Sequence, residues 1–197
     1  MNRITEDVME RASRIRLLLM DVDGVLTDGK FYFFPGPDGE IVETKAFDSQ
    51  DGIALQWLRR KGIAAGLISG RISPATTERA TQAGFRYVYQ GNLEKTPILE
   101  EIRAQAGLDP SQIAYIGDDF TDVVVMHRVG LAIATRNAAQ QVKDEADFVT
   151  GASGGSGAVR EAVELILTAQ GLWTEILQEY EIGSELGRRR RPVSTAG

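Results

Sequence analysis

Residues 15–24 read Ile-Arg-Leu-Leu-Leu-Met-Asp-Val-Asp-Gly, and this stretch decides the fold. Residues 15–20 have the length and apolar character of a strand that is buried on both faces, as strands of parallel sheets are. Further apolar runs of strand length lie at 63–68, 87–89, 113–116 and 131–134. Amphipathic segments with helical spacing separate them, at 50–61, 74–83, 96–106, 119–129 and 138–145. This alternation predicts an α/β fold with a doubly wound, Rossmann-like parallel sheet.

The segment after the first strand departs from this alternation. Residues 30–34 and 40–47 are rich in β-forming residues, and Pro-Gly-Pro-Asp-Gly at 35–39 separates them, which is typical of a β-hairpin. Ser69 lies only 48 positions after Asp21. Because the hairpin and one helix use most of them, we expect a hairpin insertion after strand one and no cap domain.

The composition limits the chemistry that the chain can perform. Among its 197 residues there is no cysteine and one histidine. Disulfides, thiolate metal sites and thiol nucleophiles are therefore excluded, and histidine-based schemes are disfavoured. The net charge of −6 argues against a nucleic-acid partner. Any catalysis must come from carboxylates, hydroxyls, lysines and backbone groups.

The chain is short enough for one domain, which we expect over residues 1–182. Residues 183–197 offer little to bury, so we expect a disordered tail there. The first 14 residues lack the apolar core of a secretory signal, and no run approaches ~18 apolar residues, the length of a membrane span. We therefore expect a cytoplasmic protein with no membrane contact.

Two acidic clusters follow apolar runs that are predicted to be strands of the same sheet. Asp21 and Asp23 follow the first strand, and two like charges in one place favour a divalent cation with oxygen ligands. The alternative is an ordinary strand-to-loop turn, in which Asp and Gly are common. Asp118, Asp119 and Asp122 follow the run at 113–116, where they would serve equally well in the first turn of a helix.

The combination of clusters is more informative than either alone. In doubly wound sheets the carboxyl ends of the strands share one edge, where ligands bind. Ser69-Gly70 follows a third strand, and Lys95 comes shortly after a fourth, although a lysine there also suits an exposed helix start. A transferring phosphoryl group needs a metal, a cation and hydroxyl or backbone donors around it. Together these residues predict a magnesium and phosphate site.

These motifs, in this order, resemble those of the haloacid dehalogenase superfamily, specifically its capless branch. The likeness covers about residues 15–173, and it rests on Asp-Val-Asp-Gly-Val-Leu-Thr-Asp-Gly at 21–29, Ser-Gly-Arg at 69–71, Gln-Gly at 90–91 with Lys95, Gly-Asp-Asp-Phe-Thr-Asp at 117–122 and the glycine-rich ending at 154–161. The resemblance implies a single phosphatase domain. It also implies a Mg²⁺ cofactor and an aspartyl-phosphate intermediate.

The resemblance assigns roles to individual residues. Asp21 is the expected nucleophile and Asp23 the general acid and base. The expected Mg²⁺ ligands are Asp21, Asp118 and the backbone carbonyl of Asp23. The remaining assignments are Ser69, Gly70 and Lys95 for phosphate, Asp51, Gly52, Arg71, Arg79 and Arg160 for the rest of the substrate, and Asp119 and Asp122 as supports beside the metal ligands.

The implied substrate is a phosphorylated sugar acid, with 3-deoxy-D-manno-octulosonate 8-phosphate favoured by Arg71 over a ketononulosonate 9-phosphate. Gln50, Gln56 and Ser156 stand where relatives often carry arginine. Members of this branch are typically homotetramers in which the hairpin pairs between subunits, and the aromatic run at 31–34 suits such an interface.

Two hypotheses from other classes remain open at this point. A phospho-receiver signalling domain also gathers acidic residues, a hydroxyl and a lysine at the ends of parallel strands, but it needs no acid or base two residues after the phosphorylated aspartate. A catalytically idle assembly subunit would also explain the aromatic hairpin and the basic run at 188–191. Turnover of a phosphate ester separates the enzyme from both.

Overall fold

The computed structural model describes residues 4–183. Its strands are β1 (Leu17–Met20), β2 (Tyr32–Pro35), β3 (Ile41–Thr44), β4 (Ala64–Ile68), β5 (Tyr87–Tyr89), β6 (Ile113–Gly117), β7 (Leu131–Ala134) and β8 (Phe148–Val149). Its helices are α1 (Glu6–Ser13), α2 (Ser49–Arg60), α3 (Pro74–Ala83), α4 (Lys95–Ala106), α5 (Phe120–Met126), α6 (Gln140–Asp144), α7 (Ala158–Ala169) and α8 (Trp173–Glu179), with a 3₁₀ turn at Pro110–Gln112.

Six strands form one parallel sheet in the order β5-β4-β1-β6-β7-β8. The chain runs outward from β1 through β4 to β5, and then returns to β6 on the other side of β1. The topology therefore switches direction at β1, and the crevice at the carboxyl ends of β4, β1 and β6 is where such sheets bind ligands. The predicted doubly wound sheet is confirmed.

The sheet is covered on both faces, as a parallel sheet must be. Alternate residues of β1 enter two separate cores, with Leu18 and Met20 on the side of α1, α2, α3 and α7. Leu17 and Leu19 lie on the side of α4, α5 and α6. Because all four side chains are fully buried, β1 is held rigidly between both layers. Asp21, which directly follows β1, therefore starts from a fixed backbone position.

The hairpin is also confirmed, as a separate two-stranded antiparallel sheet of β2 and β3. Tyr32 pairs with Thr44 and Phe34 with Val42, and all four residues of β2 are exposed. Within residues 4–183, only this hairpin and α2 lie between β1 and β4. The chain thus has the predicted insertion and no cap domain in this interval.

Two elements carry too weak a sequence pattern to be predicted. Helix α1 buries only Val8 and Ala12, so its apolar stripe is too narrow to stand out in a charged segment. Strand β8 has two residues, fewer than any periodic pattern needs. The expected disordered tail at 183–197 lies outside the described residues except for Gly183. Among residues 4–183, no helix has both the length and the apolar character that crossing a bilayer requires.

Candidate active site

The acidic residues that follow β1 and β6 meet at the switch point of the sheet. Asp21 N–H donates to Ile116 O at 3.0 Å, so the ladder between the two strands continues up to the first carboxylate. Gly24 has φ +94°, and a Cβ at this position would lie 1.9 Å from Asp118 Oδ2. Only glycine therefore permits the loop after β1 to come this close to the second acidic cluster.

Carboxylate oxygens of Asp21, Asp118 and Asp122 lie within 4.8 Å of one another. Asp122 is fully buried and already well bonded: Oδ2 accepts from the N–H groups of Asp118 and Asp119 at 2.9 and 3.2 Å, and Oδ1 accepts from Tyr115 Oη at 2.7 Å. Asp118 Oδ1, in contrast, is buried without a hydrogen-bond partner. The free acceptor of the group therefore belongs to Asp118.

Lys95 opens α4 and is the cation of this cluster. Its Nζ lies 2.9 Å from Asp21 Oδ1 and 2.7 Å from Asp122 Oδ1, and its side chain is buried. Although burial lowers the pKa of Lys95, the charges of Asp122 and Asp21 raise it overall. The ammonium therefore stays charged, and it bridges Asp21 of the first acidic cluster and Asp122 of the second.

One lysine does not neutralise this many carboxylates. Burial raises the pKa of Asp118 to about 8, and the charges of Asp122 and Asp21 add to this effect. Burial likewise raises the pKa of Asp21 to about 6 against the opposing attraction of Lys95. A divalent cation would relieve this repulsion and bind the unpartnered oxygen of Asp118. The residues present therefore fit a hard metal ion held by Asp21 and Asp118.

Asp23 lies beside this cluster but has different partners. Its Oδ1 forms an ion pair with Lys45, the residue that directly follows β3, and Arg71 Nε lies 3.9 Å from its Oδ2. The guanidinium of Arg71 also pairs with Glu43 and stacks on the ring of Phe31, 4.2 Å from its centroid. The hairpin thus supplies the surroundings of Asp23.

The predicted phosphate-binding residues follow β4. Ser69 is buried and continues the sheet, since its N–H donates to Tyr89 O at 2.9 Å, and its Oγ accepts from Arg71 N–H at 3.2 Å. A Cβ on Gly70 would lie 2.9 Å from the side chain of Leu93. The Ser69-Gly70 turn therefore lies at the same sheet edge as the acidic clusters, between β4 and the start of α4.

The predicted substrate-binding residues divide into two groups. Arg71 lies beside the hairpin, whereas Arg79, Arg160, Asp51 and Gly52 lie where α2, α3 and α7 meet. Arg79 Nη2 donates to Asp48 O at 2.7 Å, and a Cβ on Gly52 would lie 2.5 Å from the same nitrogen. Arg160 pairs with Glu164 at 2.7 Å, contacts Gln50 and stacks on Trp57.

Asp51 is fully buried and helps to cap α7, since its Oδ1 accepts from Arg160 N–H at 2.8 Å. Burial raises its pKa to about 6. The glycine-rich segment that precedes α7 packs on the loop after β1: Gly155 N–H donates to Val25 O at 3.0 Å, and a Cβ on Gly154 would lie 1.8 Å from Gly24 O. The glycine-rich segment before α7 and the loop after β1, both expected at the site, are thus in contact.

Sequence reasoning missed Lys45, Glu43 and Tyr115. Tyr115 did carry a signal, because a tyrosine inside a buried apolar strand needs a partner for its hydroxyl. Lys45 carried none, since its partner Asp23 is 22 residues away across a hairpin. Its neighbours Thr44 and Ala46 belong to no motif.

The fold and the site together define a centre that fits a divalent metal ion, at the switch point of a doubly wound α/β protein and with a lysine beside a buried aspartate. Comparison with known proteins agrees. Residues 68–162 match the model of the haloacid dehalogenase-like hydrolase family. The chain is 42% identical over 167 residues to 3-deoxy-D-manno-octulosonate 8-phosphate phosphatase of Yersinia pestis, covering 85% of this chain and 87% of that protein.

Solved structures give the same result. The crystal structure of the Yersinia pestis phosphatase superposes with a TM-score of 0.81 at 41% identity, covering 86% of this chain and 89% of that one. The Moraxella catarrhalis phosphatase, solved with magnesium, phosphate and KDO, has a TM-score of 0.84 at 36% identity over 89% and 99% of the two chains. The chain belongs to the haloacid dehalogenase-like hydrolase family.

Proposed function

We propose that this protein is a Mg²⁺-dependent phosphatase that hydrolyses 3-deoxy-D-manno-octulosonate 8-phosphate to the free sugar acid and phosphate. The observation that carries this proposal is the cluster of Asp21, Asp118 and Lys95 at the sheet switch point. The names of the relatives, which are at least 39% identical over 85% of the chain, support the choice of substrate.

Asp21 is the nucleophile in this proposal. An oxygen of its carboxylate attacks phosphorus, forming an aspartyl-phosphate while the bond from phosphorus to the sugar oxygen breaks. Asp23 gives a proton to that leaving oxygen and then takes one from the water that attacks the aspartyl-phosphate. Hydrolysis releases phosphate and restores the carboxylate of Asp21.

Asp21, Asp118 and the carbonyl of Asp23 would hold the Mg²⁺ ion. When bound, the ion supplies positive charge that offsets both the carboxylates and the phosphoryl oxygens. Asp119 and Asp122 act beside these ligands, and the hydrogen bonds that Asp122 accepts fit this supporting role. Ser69, Gly70 and Lys95 bind the phosphoryl group through a hydroxyl, a backbone N–H and an ammonium.

Arginine side chains bind the sugar acid. Arg71 is 47% exposed beside Asp23, so its guanidinium can reach a substrate carboxylate while the phosphate end faces Asp21. Arg79 and Arg160, where α2, α3 and α7 meet, are proposed as further cationic contacts for the sugar acid. Asp51 and Gly52 are proposed to bind substrate beside them. Asp51 accepts from the Arg160 N–H at 2.8 Å, and Gly52 lies against the guanidinium of Arg79.

We further propose a cytoplasmic homotetramer, with residues 1–182 as one domain. The exposed apolar side chains of the hairpin support assembly through this surface. They are Phe31, Tyr32, Phe33, Phe34, Ile41 and Val42. An isolated two-stranded sheet is marginal in water, so pairing with other copies would stabilise it.

The test is phosphate release from octulosonate 8-phosphate, ketononulosonate 9-phosphate and a neutral sugar phosphate, with Mg²⁺ and with a chelator. We expect the first substrate to give the largest kcat/KM and the chelator to abolish turnover. Asp21→Asn should lower kcat by about 10⁴-fold or more, as expected for loss of a nucleophile. Asp144→Asn, an exposed carboxylate on α6, should match the unchanged protein.

Two outcomes would reject the proposal. Retained turnover in Asp21→Asn would remove the nucleophile assignment. A phosphoprotein that acetyl phosphate labels stably, without release of phosphate, would identify a phospho-receiver domain instead.

A further inference from the structure

A second buried lysine, Lys45, contacts Asp23 but takes no part in the roles assigned above. The side chain of Lys45 is 1% exposed, and its Nζ forms an ion pair with Asp23 Oδ1. The other carboxylate in reach is Glu43, with Oε1 at 3.8 Å from Nζ. The ring of Phe31 covers the ammonium, with its centroid at 5.3 Å.

An ammonium in such a place is costly unless it is paired. Removing a charge from water is strongly unfavourable, and a paired carboxylate offsets this only in good geometry. The carboxylates of Asp23 and Glu43 therefore hold the Lys45 ammonium in place, and the ammonium in turn restrains these carboxylates. Asp23 is 17% exposed, so one side of its carboxylate faces the protein and the other remains accessible.

Asp23 needs such a restraint more than Asp21 does. Asp21 is fixed by the sheet ladder and by Lys95, whereas Asp23 lies two residues further on, after the strand has ended. Its other cationic neighbour, Arg71, is a looser contact at 3.9 Å and is also bound to Glu43. Lys45 is thus the close, buried contact that sets the direction of the Asp23 carboxylate.

We propose that Lys45 is a positioning residue: by pairing with Asp23 Oδ1 it directs the other oxygen of the carboxyl group, which carries the transferred proton, at the leaving oxygen of the substrate. This inference rests on the proposed function, because it assumes that Asp23 transfers the proton. The hairpin thereby performs a task inside its own subunit: β3 delivers Lys45 and the β2 side delivers Phe31 to cover it.

The experiment compares kcat/KM for two esters that differ in their need for an acid. The sugar phosphate leaves as an alkoxide and needs a proton, whereas 2,4-dinitrophenyl phosphate leaves as a stable anion and does not. The ratio kcat/KM reports only steps up to release of the alcohol, so the later role of Asp23 as base does not enter. The variants are Lys45→Met, Lys45→Arg and Asp23→Asn, all measured with Mg²⁺.

We expect Lys45→Met to lower kcat/KM for the sugar phosphate by about 10- to 100-fold, since a misplaced catalytic group costs up to about 10² in rate. For the dinitrophenyl ester the loss should stay below about threefold, because no acid is required. Lys45→Arg should recover most of the loss, as it keeps a cation in place. The matched control is Lys61→Met, which removes a lysine that also contacts two carboxylates, Glu175 and Glu179, away from the site.

The outcomes separate this inference from the proposed function. If Asp23→Asn shows the leaving-group dependence and Lys45→Met lowers both esters equally, Lys45 is only structural. If Asp23→Asn shows no such dependence, the assignment of Asp23 as acid fails, and the role of Lys45 fails with it. Should Lys45→Met not fold, Lys45→Gln keeps a hydrogen-bond donor without the charge and is subject to the same criterion.

Discussion

Two buried lysines hold two aspartates that are only two residues apart, yet they reach them from different parts of the fold. Lys95 begins α4 and contacts Asp21 from within the layered core around the sheet. Lys45 follows β3 and contacts Asp23 from the hairpin, which forms a sheet of its own. The proposed nucleophile is therefore held by the parallel sheet, and the proposed acid by an insertion.

The two surroundings also differ in how crowded their charges are. Around Lys95, burial and mutual repulsion raise the pKa of Asp21 to about 6 and of Asp118 to about 8. Around Lys45, the carboxylates of Asp23 and Glu43 face two cations, Lys45 and Arg71. An excess of negative charge at one site attracts a metal ion, while a balanced site does not need one. This difference predicts unequal responses to substitution and to pH.

The largest expected difference is in stability on losing each lysine. Lys95→Met leaves Asp21 and the fully buried Asp122 without their cation, and breaking such a buried pair costs about 3–5 kcal/mol. Lys45→Met should cost less, because Asp23 is partly exposed and keeps Arg71 nearby. Urea unfolding of both variants in the absence of metal measures the two free energies of unfolding.

Equal losses in the two variants would contradict this comparison, since they would mean that Asp23 is as dependent on its lysine as the Asp21 cluster is. Lys61→Met again serves as the control. Its ammonium contacts exposed carboxylates, so its loss should lower the free energy of unfolding far less than the loss of Lys95 does.

The sequence predicted one of these sites far better than the other. Asp21, Ser69 and Asp118 each follow an apolar run that is recognisable as a buried strand, and parallel strands place their carboxyl ends at one edge. The apolar pattern that precedes each of these residues was therefore enough to predict that their side chains lie close together. The hairpin itself was predicted, but which of its side chains turns back toward β1 depends on tertiary packing. The pairing of Lys45 with Asp23 follows no regular spacing in the sequence, so the sequence alone does not predict it.

The same reason limits the prediction for Asp51. The acidic residue at the start of α2 was expected to bind substrate, and the structure shows its buried carboxylate accepting from the N-terminus of α7, which the sequence did not predict. A cap supplied by one helix to another depends on how the helices pack, which composition and spacing do not reveal. Whether Asp51 also affects substrate binding remains a prediction.

A pH titration sharpens the contrast between the two sites. Because folding raises the pKa of Asp21 and Asp118 above the usual ~3.9, the metal-free folded state holds protons more tightly than the unfolded chain does. Its stability should therefore be highest near pH 4 and fall as the pH rises through about 6 and about 8. Thermal unfolding in chelator across this range measures the effect.

Added Mg²⁺ should reverse that trend. The ion must displace the proton of Asp118 below pH 8, so its apparent affinity should rise by up to about tenfold per pH unit between pH 6.5 and 7.5. Isothermal titration at several pH values gives both the affinity and the protons released. Asp118→Asn should remove most of the proton release, and a pH-independent affinity in the unchanged protein would contradict the pKa shifts.

The smallest expected effect concerns Glu43, which lies near Lys45 and also pairs with Arg71, the proposed partner of the substrate carboxylate. Its carboxylate binds the guanidinium of Arg71, the group that the sugar acid would also use, so the two carboxylates compete. Glu43→Gln removes that charge and should lower KM for octulosonate 8-phosphate. The gain should not exceed about fivefold, because a partly exposed ion pair is worth at most about 1 kcal/mol. KM for a neutral sugar phosphate should stay unchanged, since it offers Arg71 no carboxylate. An equal change for both substrates would show that Glu43 acts on the phosphate end through Lys45, and that the hairpin serves catalysis more than recognition.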